Sequence, residues 1–149
     1  NFADLRRIQG RDPEAEAVLR EGLKVVPTDA SLHHALGLTL VRLQRTEEAV
    51  RELAEATRLA PEESRFAYVY AVALQSTGRK REALEVLDRA LARHPGERDM
   101  LLAAATFSRD TDDHAAALKY AERLAAEAPW DPVVQQLLKG LRRAVDAEP

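Results

Sequence analysis

The sequence predicts an all-α protein, an α-solenoid of stacked antiparallel helix pairs, and three observations predict it. Pro27, Pro61, Pro95 and Pro129 recur at intervals of 34 residues. Aligned on those prolines, small residues fall into register: Ala15, Ala49, Ala83 and Ala117 form one column, and Ala3, Gly37, Ala71 and Ala105 another. The composition is 46% hydrophobic and only 5% aromatic, so the core is built largely from Ala and Leu, which with Arg and Glu are strong helix formers.

The period divides the 149 residues into one array: a partial unit of about residues 1–29, units of about 30–63, 64–97 and 98–131, and a closing helix of about 132–146. In the first unit Asp12-Pro13 reads as an N-cap followed by proline at the first helical position, starting a second helix. Asn1 falls inside a first helix, so the chain is expected to begin within the array, with repeats or another domain ahead of it.

In the second unit Leu32, Leu36, Leu40 and Leu43 mark one buried stripe at helical spacing. Gln44-Arg45-Thr46 interrupts it, with Thr46 as the expected N-cap and Glu47 and Glu48 placed against the positive end of the next helix. That helix carries Ala49, Val50, Leu53, Ala56 and Leu59, and Pro61 ends it by disfavouring helical geometry in the residue before it. Thr77-Gly78-Arg79 and Thr111-Asp112-Asp113 separate the helices of the next two units.

Asp131-Pro132 opens the closing helix. Val133, Leu137, Leu141 and Val145 form its stripe, joined by Val134 and Leu138, while Gln135, Lys139, Arg142, Arg143 and Asp146 occupy the other face. A polar outer face suits a terminal element, which has no neighbour to bury it.

A 34-residue helix pair cannot bury its apolar faces alone, so units stack and share a core. The Ala15 and Gly37 columns fit points of close helix approach, whereas Leu53 and Leu87 read as core knobs.

These columns resemble the tetratricopeptide repeat family. Unit two carries the likeness best, with His33 where the family often has Trp, then Leu36-Gly37, Leu40, Ala49, Leu53, Ala56 and Pro61. Unit three follows with Tyr70-Ala71, Leu74, Gly78, Ala83, Leu87, Ala90 and Pro95, and unit four with Ala104-Ala105, Ser108, Ala117, Ala121 and Pro129. Arg6 and Ser108 stand in a column that is usually apolar, so their helices are expected to pack differently.

The resemblance implies a right-handed superhelix whose groove, lined by the first helix of each unit, binds a peptide or protein. Carried onto this chain, the groove columns contain Asp4, Arg7 and Ile8, then Ser31, His34, Leu38, Val41 and Arg42. They continue with Arg65, Tyr68, Val72, Gln75 and Ser76, and end with Asp99, Leu102, Thr106, Arg109 and Asp110. Some relatives clamp a C-terminal carboxylate with Lys, Asn and Arg at fixed groove positions. Here those positions read Asp4, Ala35, Arg65 and Val69, or His34, Leu38, Val69, Asp99 and Ala103 one unit later, so that clamp is absent. The apolar strip of Leu38, Val41, Tyr68, Val72 and Leu102, flanked by four arginines and three aspartates, suits an amphipathic segment of mixed charge. The implied role is a non-catalytic protein- or peptide-binding scaffold. The alternative is a structural spacer within a larger protein, monomeric or weakly self-associating through Phe2, Leu5 and Ile8 near an uncapped N-terminal end. The Ala- and Arg-rich cast looks like that of bacterial arrays.

Other chemistries find little support. A net charge of −3, with 22 basic and 25 acidic residues, builds no basic stripe for nucleic acid or a membrane surface, and no apolar run has the length of a span. Without cysteine there is no thiolate chemistry, and neither a nucleophile elbow nor a phosphate-cradling glycine loop is present, so no enzyme activity and no cofactor is expected. The compartment stays open between cytoplasm and periplasm.

His33 and His34 are adjacent and diverge on a helix, unlike the i, i+4 pair of a helical zinc site; His33 is expected in the core column and His34 toward the groove. Asp110-Thr111-Asp112-Asp113-His114 lacks the later glycine and glutamate of a calcium loop and reads as an acidic turn. Gly78-Arg79-Lys80-Arg81 reads as a solvated charge run, and Trp130 as a wedge against the closing helix.

Overall fold

A computed structural model describes residues 2–149, with side chains from Gly10 onward. Among the described residues eight helices follow one another: α1 (Phe2–Val25), α2 (Ala30–Arg42), α3 (Thr46–Leu59), α4 (Ser64–Ser76), α5 (Lys80–Arg93), α6 (Arg98–Asp110), α7 (His114–Glu127) and α8 (Pro132–Asp146). The described residues contain no strand. The side chains of Ala3, Asp4, Arg6, Arg7 and Ile8, and those of Phe2 and Leu5 at the expected uncapped end, lie outside the described set.

The sequence period reappears in the backbone. The helices α2, α4, α6 and α8 start at Ala30, Ser64, Arg98 and Pro132, and α3, α5 and α7 at Thr46, Lys80 and His114, each series in steps of 34. Before each proline the chain leaves its helix the same way. The amides of Val26, Ala60, His94 and Ala128 donate to Gly22, Ala56, Ala90 and Leu124 carbonyls at 2.9–3.0 Å. The three residues after those amides form a turn that returns the chain to the next helix.

The other turn has its own device. Gln44, Gly78 and Asp112, again 34 apart, have φ of 60°, 82° and 60°. A left-handed residue just past a helix lets the next amide reach back to a late carbonyl. Arg45 donates to Leu40 and Asp113 to Ser108 in this way, both at 2.9 Å.

The helices group into two compact units, Asn1–Thr77 and Gly78–Pro149. In the first, Leu36, Leu40 and Ala49 form a buried cluster on which Leu19 and Leu23 pack, joining α1, α2 and α3. Gly37 of α2 lies directly against Leu53 of α3. In the second, Ala105, Ala117, Ala121, Leu138 and Leu141 form the core, with Leu118, Tyr120, Ala125 and Leu137 partly buried against it. Leu53, Leu87, Ala49, Ala83 and Ala117 are all fully buried.

Two local expectations are corrected. Asp12-Pro13 does not begin a helix; it lies inside the continuous α1. The carboxylate of Asp12, which would have capped a helix, instead accepts a hydrogen bond from Arg42 Nε of α2 at 2.9 Å. Thr46 is the first residue of α3 and not its cap, because the Leu40–Arg45 backbone bond carries the chain straight into the helix at Arg45. Side-chain caps do occur at Asp29, Asp113 and Asp131, which accept from the amides of Leu32, Ala116 and Val133 at 2.9–3.0 Å.

Candidate functional site

In the second unit, three of the residues assigned to the groove come together. Leu102, Thr106 and Arg109 on α6 face Val133, Gln136, Leu137, Gly140, Leu141 and Ala144 on α8, and with His114 they line a cleft of about 480 Å³. Their spacing on α6 follows from helix geometry, since steps of three and four residues keep side chains on one face. The Thr106 hydroxyl donates to the Leu102 carbonyl at 2.9 Å, so its polar group is satisfied within α6.

The wall on α8 was not among the groove residues read from the sequence. The signal for it existed: α8 starts 34 residues after α6, so the columns of α6 continue onto Val133, Gln136, Gly140 and Ala144. Reading α8 as a terminal cap hid this. Its polar outer face is real, with Lys139, Arg142 and Arg143 exposed, while Val134, Leu138 and Leu141 are buried. Val133 is 60% exposed, which leaves an aliphatic side chain largely open at the cleft.

Among the described residues no carboxylate lines the cleft, and Arg109 is its one permanent cation, half exposed, with Nε 3.7 Å from Asp110. His114 opens α7, and its Nδ1 donates to Glu148 at 2.5 Å, tying the end of the chain beside the cleft. At the other end of α8, Arg98 holds Asp131 at 2.5 Å, and this ion pair with the Val133 amide keeps the Asp131 carboxyl below the usual range. Those two ties anchor α8 to α6 and α7.

In the first unit the assigned residues are less open. His34 is only 7% exposed, its ring stacked on Phe66 of α4 with centroids 4.3 Å apart. Burial, and then Arg65, push its pKa below the ordinary histidine value. Arg42 is engaged by Asp12 and by the Thr39 hydroxyl. Val41 and Val72 are exposed at 43% and 39%, Arg65 is exposed, and Leu38, Tyr68 and Gln75 are half-buried. Ser31, Ser76, Asp99 and Asp110 are solvent-exposed, and Arg7 lies outside the described side chains.

On α1 and α3 a different cluster forms. Glu16 accepts from Arg45 at 2.7 and 2.9 Å and from Arg20 at 2.9 Å, and Glu48 accepts from Arg45 at 2.7 Å. The hydrogen bond from Arg20, followed by those from Arg45, lowers the Glu16 pKa. Every charge in this cluster is matched by a neighbour, the arrangement of a structural network on an exposed face.

Trp130, expected as a wedge, is 78% exposed. The Asp131 amide donates to Ala128 while its carboxylate caps α8, and this tight turn leaves the indole at its tip. Among the described residues no group of three His, Cys, Asp or Glu side chains is gathered to hold a metal ion. No described helix is long and apolar enough to cross a membrane.

The profile of the family described as Tetratricopeptide repeat matches residues 2–107. The chain belongs to the tetratricopeptide repeat family. Solved structures agree at the level of fold. The crystal structure of MamA is 22% identical with a TM-score of 0.78, covering 98% of this chain and 90% of that one. YrrB, described as a TPR protein with an unusual peptide-binding site, is 17% identical with a TM-score of 0.76, covering 98% of this chain and 75% of that one. The pilF protein of Pseudomonas aeruginosa is 22% identical with a TM-score of 0.74, covering 97% and 65%. No curated protein matches the sequence. This tetratricopeptide repeat chain thus has the helical-repeat solenoid fold of a protein-interaction scaffold, in a family whose members are generally non-catalytic.

Proposed function

We propose that this tetratricopeptide repeat chain seats a segment of a partner protein in the cleft between α6 and α8. The observation that carries this reading is the lining itself. Leu102, Val133, Leu137 and Leu141 offer apolar contact, Gly140 and Ala144 leave space above α8, and Gln136 and Arg109 stand ready to orient a polar guest. Such a site is apolar with a few polar groups, as ligand clefts usually are. Residues of α2 and α4 that share the same columns, chiefly Val41, Tyr68 and Val72, extend the proposal to the first unit as a contact surface.

A ligand suited to these groups is a short amphipathic segment whose aliphatic side chains enter the cleft and whose polar side meets Arg109. With few anchors and an open mouth, the affinity expected is micromolar, about −8 kcal/mol.

Gly140 provides the test. A Cβ built there meets nothing within 4 Å, so Gly140→Tyr fills the cleft without displacing the helix. Peptides selected against the wild-type chain should lose at least about tenfold in affinity for G140Y, a change of about 1.4 kcal/mol. Lys139→Tyr, on the exposed side of α8, should bind them as wild type does. Equal binding by G140Y, with helicity intact, would refute the cleft as the site.

A further inference from the structure

His33 sits at the centre of the first unit's N-terminal joint, and both of its ring nitrogens face acceptors. Nδ1 lies 2.6 Å from Glu52 Oε2 of α3, and Nε2 lies 2.8 Å from the Pro27 carbonyl in the turn between α1 and α2. An ionised carboxylate and a carbonyl can only accept. A neutral imidazole carries one N–H, so one of these contacts would set a lone pair against an oxygen. The imidazolium alone satisfies both. The ring is held in place, at 13% side-chain exposure against 24% for Glu52.

We propose that His33 is a proton-dependent latch, which in its imidazolium form fastens the α1–α2 turn to α3 and lets go of one of the two when it loses its proton. The Asp12–Arg42 ion pair joins α1 to α2, and the cluster of Glu16, Arg20, Arg45 and Glu48 joins α1 to the start of α3; His33 adds a tie between the α1–α2 turn and α3. The joint therefore tightens when His33 holds its proton and loosens as pH rises through its raised folded-state pKa.

The charges around the ring support this direction. Burial by itself opposes the cation, but the bonds to Glu52 and Pro27 outweigh it, with Glu55 adding attraction, and the pKa stands above the ordinary value. Glu55 is itself engaged by Arg58. Arg20 of α1 and Arg51 of α3 share a surface recess with Glu52 and Glu48, and are the cations placed to compete for the Glu52 carboxylate. Asp29, which caps α2, uses its carboxylate on the Leu32 amide. His34 turns away toward Phe66, with Arg65 on its far side. A raised folded-state pKa gives a contribution that is complete below the unfolded value of 6.5 and disappears as pH climbs through the folded one.

Nitrogen-15 NMR of the ring in the whole chain tests the latch directly. Both His33 nitrogens should show the imidazolium pattern at pH 6.5, with a midpoint above that of a free histidine, and Glu52→Gln should lower that midpoint. Amide exchange at Asp29 and His33, corrected for its intrinsic pH dependence, should lose protection several-fold between pH 6 and pH 8 in the wild type and not in His33→Gln. A neutral single-tautomer pattern at pH 6.5 would overturn the proposal without requiring any variant to fold. So would a His33 midpoint that Glu52→Gln leaves unmoved.

Discussion

Gly37 of α2 lies so close to Leu53 of α3 that a Cβ on residue 37 would come within 2.6 Å of the leucine Cγ and Cδ2. The corresponding pair in the second unit is Ala105 and Ala121, both fully buried in one cluster. In the first unit a glycine faces a leucine, whereas in the second two alanines occupy these columns. Each helix pair thus closes to packing density by its own combination, and neither column can be read alone.

Gly37→Ala should therefore destabilise the protein. Leu53 is fully buried and a Cβ on residue 37 would clash with it, so overpacking is expected to cost about 1–3 kcal/mol. Replacing a helical glycine returns up to about 1 kcal/mol of propensity. The net loss should be visible in urea denaturation. Leu53→Ala alone should cost about 2–5 kcal/mol. The double variant, which recreates the Ala105–Ala121 pair, should lose less than the two single losses added together.

The left-handed turn positions make a second prediction. Gln44 adopts φ 60° with a Cβ present, while Gly78 adopts φ 82° without one. Gln44→Gly should relieve strain and stabilise by about 1 kcal/mol, and Gly78→Ala should destabilise by a similar amount. Nothing lies within 4 Å of a Cβ on residue 78, so any loss there reports backbone strain and not a clash.

Ser108 is 1% exposed, and its hydroxyl makes no hydrogen bond among the described residues. A buried hydroxyl without a partner costs about 1–3 kcal/mol relative to a bonded one. Ser108→Ala removes the polar atom and leaves only a small void, so the melting temperature should rise. The backbone carbonyl of residue 108, which accepts from the Asp113 amide, is unaffected.

His34 answers pH with the opposite sign to its neighbour. Burial lowers its pKa, so the folded state resists the proton that the unfolded chain takes up. Its contribution is complete above the unfolded value of 6.5 and is lost as pH falls toward the folded one. His34→Phe, which keeps a ring against Phe66, should flatten the loss of stability between pH 6.5 and pH 5 in thermal melts. An unchanged acid limb would show that other groups govern it.

The sequence by itself determined the period, the helix pairs, the buried Ala and Leu columns and the family, because each arises from spacing along a chain that repeats. The same repetition concealed the site. Val133, Gln136, Gly140 and Ala144 continue the columns of Asp99, Leu102, Thr106 and Asp110, but a terminal helix with a polar face reads equally well as an inert cap. Only the tertiary structure decided that α8 turns this face to α6. It also decided the fates of particular side chains, since these depend on residues distant in the chain. Asp12 leaves its expected cap for Arg42, His34 is sealed by Phe66, and His33 is caught between Pro27 and Glu52. A local pattern specifies which side chains share a helix face, whereas the atoms that meet them across a packed interface are specified by the fold.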